Sequence, residues 1–85
     1  MVLNIVKLKY MKNHPKINLQ NIVWKEGKYY VSQCLNVDVS SFGKTRIEAL
    51  SNLREALDLY FSETKSHKIQ NILRPEIVTV PFKYA

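Results

Sequence analysis

Residues 43–63 read GKTRIEALSNLREALDLYFSE. Thr45-Arg46-Ile47-Glu48 has the form of a capping box. The Thr45 hydroxyl can accept from the Glu48 N–H, and the Glu48 carboxylate can reach back to the N–H of Thr45. Beyond the cap, Ile47, Leu50, Leu53, Leu57 and Tyr60 or Phe61 recur every three to four residues, which makes one apolar stripe. Ala49 and Ala56 add helix propensity, and no Gly or Pro interrupts. Ser51, Asn52, Arg54, Glu55 and Asp58 fall largely on the opposite side. The spacing predicts an amphipathic helix from Arg46 to about Ser62, about 25 Å long at 1.5 Å per residue.

Upstream lies a hairpin. Asn21-Ile22-Val23-Trp24-Lys25 and Lys28-Tyr29-Tyr30-Val31-Ser32 are rich in β-branched and aromatic residues. Glu26-Gly27 has the length of a tight turn, with Gly supplying φ > 0. That loop sets Lys25 opposite Lys28, Trp24 opposite Tyr29, Val23 opposite Tyr30 and Ile22 opposite Val31. Val37 to Phe42 reads as a third strand, closed by a turn at Gly43. Downstream, residues 63–74 read as a loop with a turn of helix around Ile69–Leu73. Pro75 then marks the entry to a fourth strand, Ile77 to Phe82. Val2 to Tyr10 forms an optional first strand, set apart by the connector Lys12-Asn13-His14-Pro15. The expected class is α+β, in the order β-β-β-α-β.

One helix covers only one face of such a sheet. The hairpin is apolar on both faces, with Val23 and Tyr30 on one and Ile22, Trp24, Tyr29 and Val31 on the other. The second face therefore needs a cover. The candidates are the N-terminal segment, a second copy of the chain in a homodimer, or a different partner.

At 85 residues the chain is one small domain, with 1–16 read as an N-terminal extension and 20–85 as the core. A core this thin favours oligomerisation. Hydrophobic residues are 46% and charged residues 24%, an ordinary globular balance that argues against disorder. The single cysteine, Cys34, excludes an intramolecular disulfide framework and any multi-cysteine zinc site. No apolar run approaches the length of a membrane span, and the first lysines follow the apolar N-terminal stretch, the wrong order for a signal peptide. A soluble cytoplasmic protein with no membrane association is expected. The net charge of +6 is concentrated at the ends. Lys7, Lys9, Lys12, Lys16 and Lys25 face no acid in the first 25 residues, whereas Glu48, Glu55, Asp58 and Glu63 outweigh Arg46 and Arg54 in the helix. Basic ends suit phosphate contacts; their ordinary role is to keep a small protein soluble.

Few residues carry chemistry. The carboxylates are scattered, so no pair is spaced for general acid–base work or a two-metal site. Of the two histidines, His14 sits in a loop and His67 follows the helix, and nothing nearby orients either as a base. Cys34 reads as a small buried hydrophobe rather than a nucleophile. No Gly-rich phosphate loop is present. Trp24, Tyr29 and Tyr30, beside Lys25 and Lys28, suit base stacking, although core packing explains them as well. No catalytic residue, cofactor or metal is expected.

Glu26-Gly27-Lys28-Tyr29-Tyr30-Val31-Ser32, then CLNVDVSSFGKT at 34–45 and RIEALSNLREALDLYFSE at 46–63, together resemble the HicB family of bacterial and archaeal antitoxins. Cys34, Val39, Ser41, Gly43 and Thr45 keep their places in the family pattern. So do Glu48, Ala49, Leu50, Asn52, Leu53, Glu55, Ala56, Leu57, Leu59 and Tyr60. The likeness covers about residues 20–63, and Ile77–Phe82 suits the family's closing strand. Leu35, Asn36 and Asp38 depart from it, where Pro, an acid and Gly are usual. Residues 1–19 have no counterpart, and Met11 is an alternative start.

The resemblance implies a truncated RNase H-like fold, with a crossover helix and a last strand parallel to the first. It implies a short form that lacks the family's DNA-binding domain. It also implies a non-catalytic antitoxin of a type II toxin–antitoxin system, whose partner is a HicA-like mRNA-cleaving toxin that it occludes. Because the chain is basic, Glu48, Glu55 and Asp58 would supply complementarity to a basic toxin. Ile22, Trp24, Tyr29 and Val31 are the matching apolar candidates for a partner or dimer interface. A small basic nucleic-acid-binding protein is the alternative.

Overall fold

The computed structural model describes residues 17–63 and 68–84. It is α+β, with β1 Asn21–Glu26, β2 Tyr29–Cys34, β3 Val39–Gly43 and α1 Arg46–Glu63. The strands form one antiparallel sheet in the order β1-β2-β3. The expected N-terminal strand Val2–Tyr10 lies outside the described residues, as do His14 and His67.

The hairpin turns one residue later than expected. Glu26 pairs with Tyr29, so the loop is Gly27-Lys28, and Trp24 faces Val31 rather than Tyr29. Gly27 has φ +61°, which suits the first loop position of a type II′ turn, where Gly carries the left-handed conformation without a Cβ penalty. The partners move by two residues, an even number, so every side chain stays on its expected face.

The cap also differs in one bond. Thr45 Oγ1 accepts from the Glu48 N–H at 3.0 Å, as the capping box requires. The Glu48 carboxylate, however, accepts from the N–H of Lys44 at 3.0 Å rather than from that of Thr45.

The helix lies over β3 and β2 more than over β1. Its buried side is Ala49, Leu53 and Leu57; Leu50 is half-buried. Ile47, assigned to the stripe, is 75% exposed. Ala49 takes the first-turn contact instead, because Gly43 lets the backbone come close. A Cβ on Gly43 would stand 2.6 Å from the Ala49 backbone nitrogen and 2.9 Å from two Glu48 carbons. Gly43 is thus a β3 residue needed for close packing, not a turn residue with positive φ. Ser32, fully buried in the middle of β2, donates to the Ala49 carbonyl at 2.6 Å and fixes the helix on the sheet. The core is small: Cys34, Val37, Leu53 and Leu57, with Leu19, Val39, Tyr60, Phe61 and Ile69 against it.

Buried Asn36 ties three segments together. Its Oδ1 accepts from the N–H of Gln20 at 2.7 Å, and its Nδ2 donates to the Gln70 carbonyl at 2.8 Å. Its own carbonyl accepts from the N–H of Gln70 at 2.8 Å. A carboxylate could not donate to Gln70, so the amide fits this position where an acid would not.

The fourth strand is not formed. Residues 77–82 pair with no described strand, and Ile77, Val78, Val80 and Phe82 are exposed. Their β-propensity is real, but a lone segment without a neighbouring ladder has nowhere to place its backbone hydrogen bonds. No turn of helix forms around 69–73 either; Ile69 packs on the core from an irregular segment.

Candidate functional site

Alternation along the sheet separates two surfaces. Cys34, Ser32, Val39 and Gly43 point to the helix side. Ile22, Trp24, Tyr29, Val31 and Phe42 share the other face. The first four are the residues singled out from the hairpin, and the register places them together. Four of the five are exposed and Val31 is half-buried. Val31 is central, flanked across the strands by Trp24 and Phe42. The Tyr29 and Phe42 rings meet edge to face at 6.0 Å. A shallow depression of about 370 Å³ lies among Glu26, Tyr29, Val31, Ser40, Ser41 and Phe42.

Phe42, 62% exposed, is the residue that sequence reasoning missed. The signal was available. With Val39, Ser41 and Gly43 facing the helix, Ser40 and Phe42 must face outward.

The acidic candidates are elsewhere. Glu48, Glu55 and Asp58 are exposed on the side of α1 turned away from Ala49, Leu53 and Leu57. The sheet lies between them and the apolar face, so one flat partner cannot cover both sets. Glu48 is also engaged in the cap.

No family model, curated protein or solved structure matches this chain. The site is therefore read from its own geometry. Cys34 is 1% exposed and packs in the core beside Leu53. Among the described residues, no group of three or more His, Cys, Asp or Glu side chains is placed to hold a metal ion. No described helix is long and apolar enough to cross a membrane. What the described surface offers is a mostly aromatic patch on one face of the sheet, bordered by Glu26 and the loop residue Lys28 at the hairpin end.

Proposed function

We propose that this protein is a non-catalytic, antitoxin-like module of a type II toxin–antitoxin system, which binds and occludes a HicA-like mRNA-cleaving toxin. The observation that carries this reading is the uncovered face of Ile22, Trp24, Tyr29, Val31 and Phe42. Soluble domains this small seldom leave such a patch open unless it binds something. The three segments that resemble HicB form the consecutive β-β-β-α elements that hold this face. On this reading those elements are the core of a truncated RNase H-like fold.

The mechanism is steric. An apolar face seated over the mouth of a basic RNA-cleaving site excludes the RNA backbone without any chemistry. An apolar contact also removes a difficulty of charge, since a +6 chain meeting a basic toxin cannot rely on ion pairing. Burying on the order of 400 Å² of this face would contribute about 10 kcal/mol before the costs of association.

The test uses the protein encoded by the neighbouring reading frame. Its RNA cleavage should stop at equimolar addition of this chain. Trp24→Asp or Phe42→Asp should abolish the inhibition, and Glu55→Lys, on the far side, should not. Cleavage that persists at equimolar wild-type chain would overturn the reading.

One observation favours a second reading. Lys28, in the hairpin loop, is exposed next to Tyr29 at the end of the face that carries Trp24, a combination that suits single-stranded nucleic acid. RNA retention that falls steeply with salt and drops on Lys28→Ala would favour it.

A further inference from the structure

Two unmet halves of one strand pairing lie on the same chain. The first half is the outer edge of β1, which no described strand pairs. The Leu35 N–H donates to the Gln20 carbonyl at 2.8 Å, so Gln20 points toward the β2 side. By alternation Ile22, Trp24 and Glu26 do the same, which leaves the backbone groups of Asn21, Val23 and Lys25 facing outward. These have no partner among the described residues. The opposite edge is different: Asn52 Nδ2 donates to the Phe42 carbonyl at 2.8 Å, so the helix already occupies part of β3.

Beside the β1 edge, on the helix side, the sheet is left open because α1 leans over β3 and β2. A groove of about 490 Å³ remains there, lined by Leu19, Leu50, Leu57 and Phe61 together with Arg54 and Asp58. A strand edge that no described residue pairs, with a partly apolar groove alongside, is an acceptor for one more strand.

The second half is the segment Ile77-Val78-Thr79-Val80-Pro81-Phe82. In a strand, Val78, Val80 and Phe82 share one face. Yet Ile77 is 98% exposed and Phe82 84% exposed, and no hydrogen bond joins residues 75–84 to the rest of the described chain. The segment leaves the body at Arg74, whose φ of +48° is unusual for a residue with a side chain. Pro75 follows, and a residue before proline ordinarily prefers the extended region. A strained hinge of this kind favours exchange of the segment it carries.

We propose that the 77–82 arm adds antiparallel to the β1 edge of a second copy of this chain, and reciprocally, with Val78, Val80 and Phe82 filling the groove beside Leu50 and Leu57. The occupant is a second copy because each chain carries one donor arm and one acceptor edge. A two-fold exchange satisfies both and leaves neither over. The assembly stops at two. Pro81 has no N–H to offer a further strand, and Lys83 blunts the new outer edge. This inference does not depend on the toxin reading, since the exchange uses the β1 edge and the helix side rather than the Trp24 face.

Sedimentation velocity of the full chain at tens of micromolar should give twice the 10.0 kDa chain mass. Val78→Pro, in an arm with no hydrogen bond to the rest of the described chain, should keep the circular dichroism spectrum. It should weaken dimerisation at least about tenfold by removing a ladder bond and blocking strand geometry. Mixed ¹³C-labelled and unlabelled chains should show nuclear Overhauser contacts between copies, from the Val78 and Val80 methyls to those of Leu50 and Leu57. A monomer, a dimer indifferent to Val78→Pro, or contacts that arise only within one copy would each overturn the proposal.

Discussion

Gly43→Ala tests how the helix is seated. Replacing glycine by alanine where the backbone is unstrained ordinarily stabilises a protein by about 0.4–1 kcal/mol, because the unfolded chain loses freedom. Gly43 lies in β3 without positive φ, so this gain applies. Against it stands a methyl group 2.6 Å from the Ala49 nitrogen, 2.9 Å from the Glu48 carbonyl carbon and 2.9 Å from the Glu48 Cβ. None of these atoms is the end of a flexible side chain. To relieve the contacts, the first turn of α1 must lift off β3. That movement also stretches the Ser32–Ala49 hydrogen bond of 2.6 Å. Overpacking of this kind costs about 1–3 kcal/mol, and with rigid neighbours the upper part of that range applies. Subtracting the entropic gain leaves a net loss of about 2 kcal/mol. For a chain of this size the total stability is on the order of 4–13 kcal/mol, so the variant still folds. Urea unfolding followed by helical circular dichroism reads the change. With a slope of about 1 kcal/mol per molar, the midpoint should fall by about 2 M. A midpoint equal to or above that of the parent would refute the close seating of α1 on β3.

Leu53→Ala, at the fully buried centre of the core, should cost about 2–5 kcal/mol in the same assay, and a loss under about 1 kcal/mol would mean the buried side is misassigned. Ile47→Ala, on an exposed first-turn residue, should change stability by less than about 0.5 kcal/mol. Asn36→Ala should cost about 2 kcal/mol by leaving the Gln20 N–H and the Gln70 carbonyl without their partner, and should speed hydrogen exchange at Gln20. His14→Ala and His67→Ala should leave fold and binding unchanged; RNA cleavage by the purified chain that vanished with either would contradict a non-catalytic module.

Much of the architecture was legible in the residues, because local physics specifies it. The Thr45 cap and the three-to-four spacing of leucines define a helix in any context, and the hairpin's β-branched and aromatic runs define strands around a Gly turn. Faces were legible too, since strand parity survives a turn misplaced by one residue. What local pattern does not carry is proximity. Ala49, rather than Ile47, became the first-turn contact because Gly43 removed a side chain from the strand opposite. Alternation alone turned Phe42 outward, but its place beside Val31 and Tyr29 came only with the register of β3 on β2. Glu48, Glu55 and Asp58 parted from Trp24 and Tyr29 because the helix and that face lie on opposite sides of one sheet. The segment Ile77–Phe82 shows the limit most clearly. Its composition says that it can be a strand, but a strand is completed by its neighbour's backbone. Whether that neighbour is met, and on which copy, is decided by where the chain goes after Arg74.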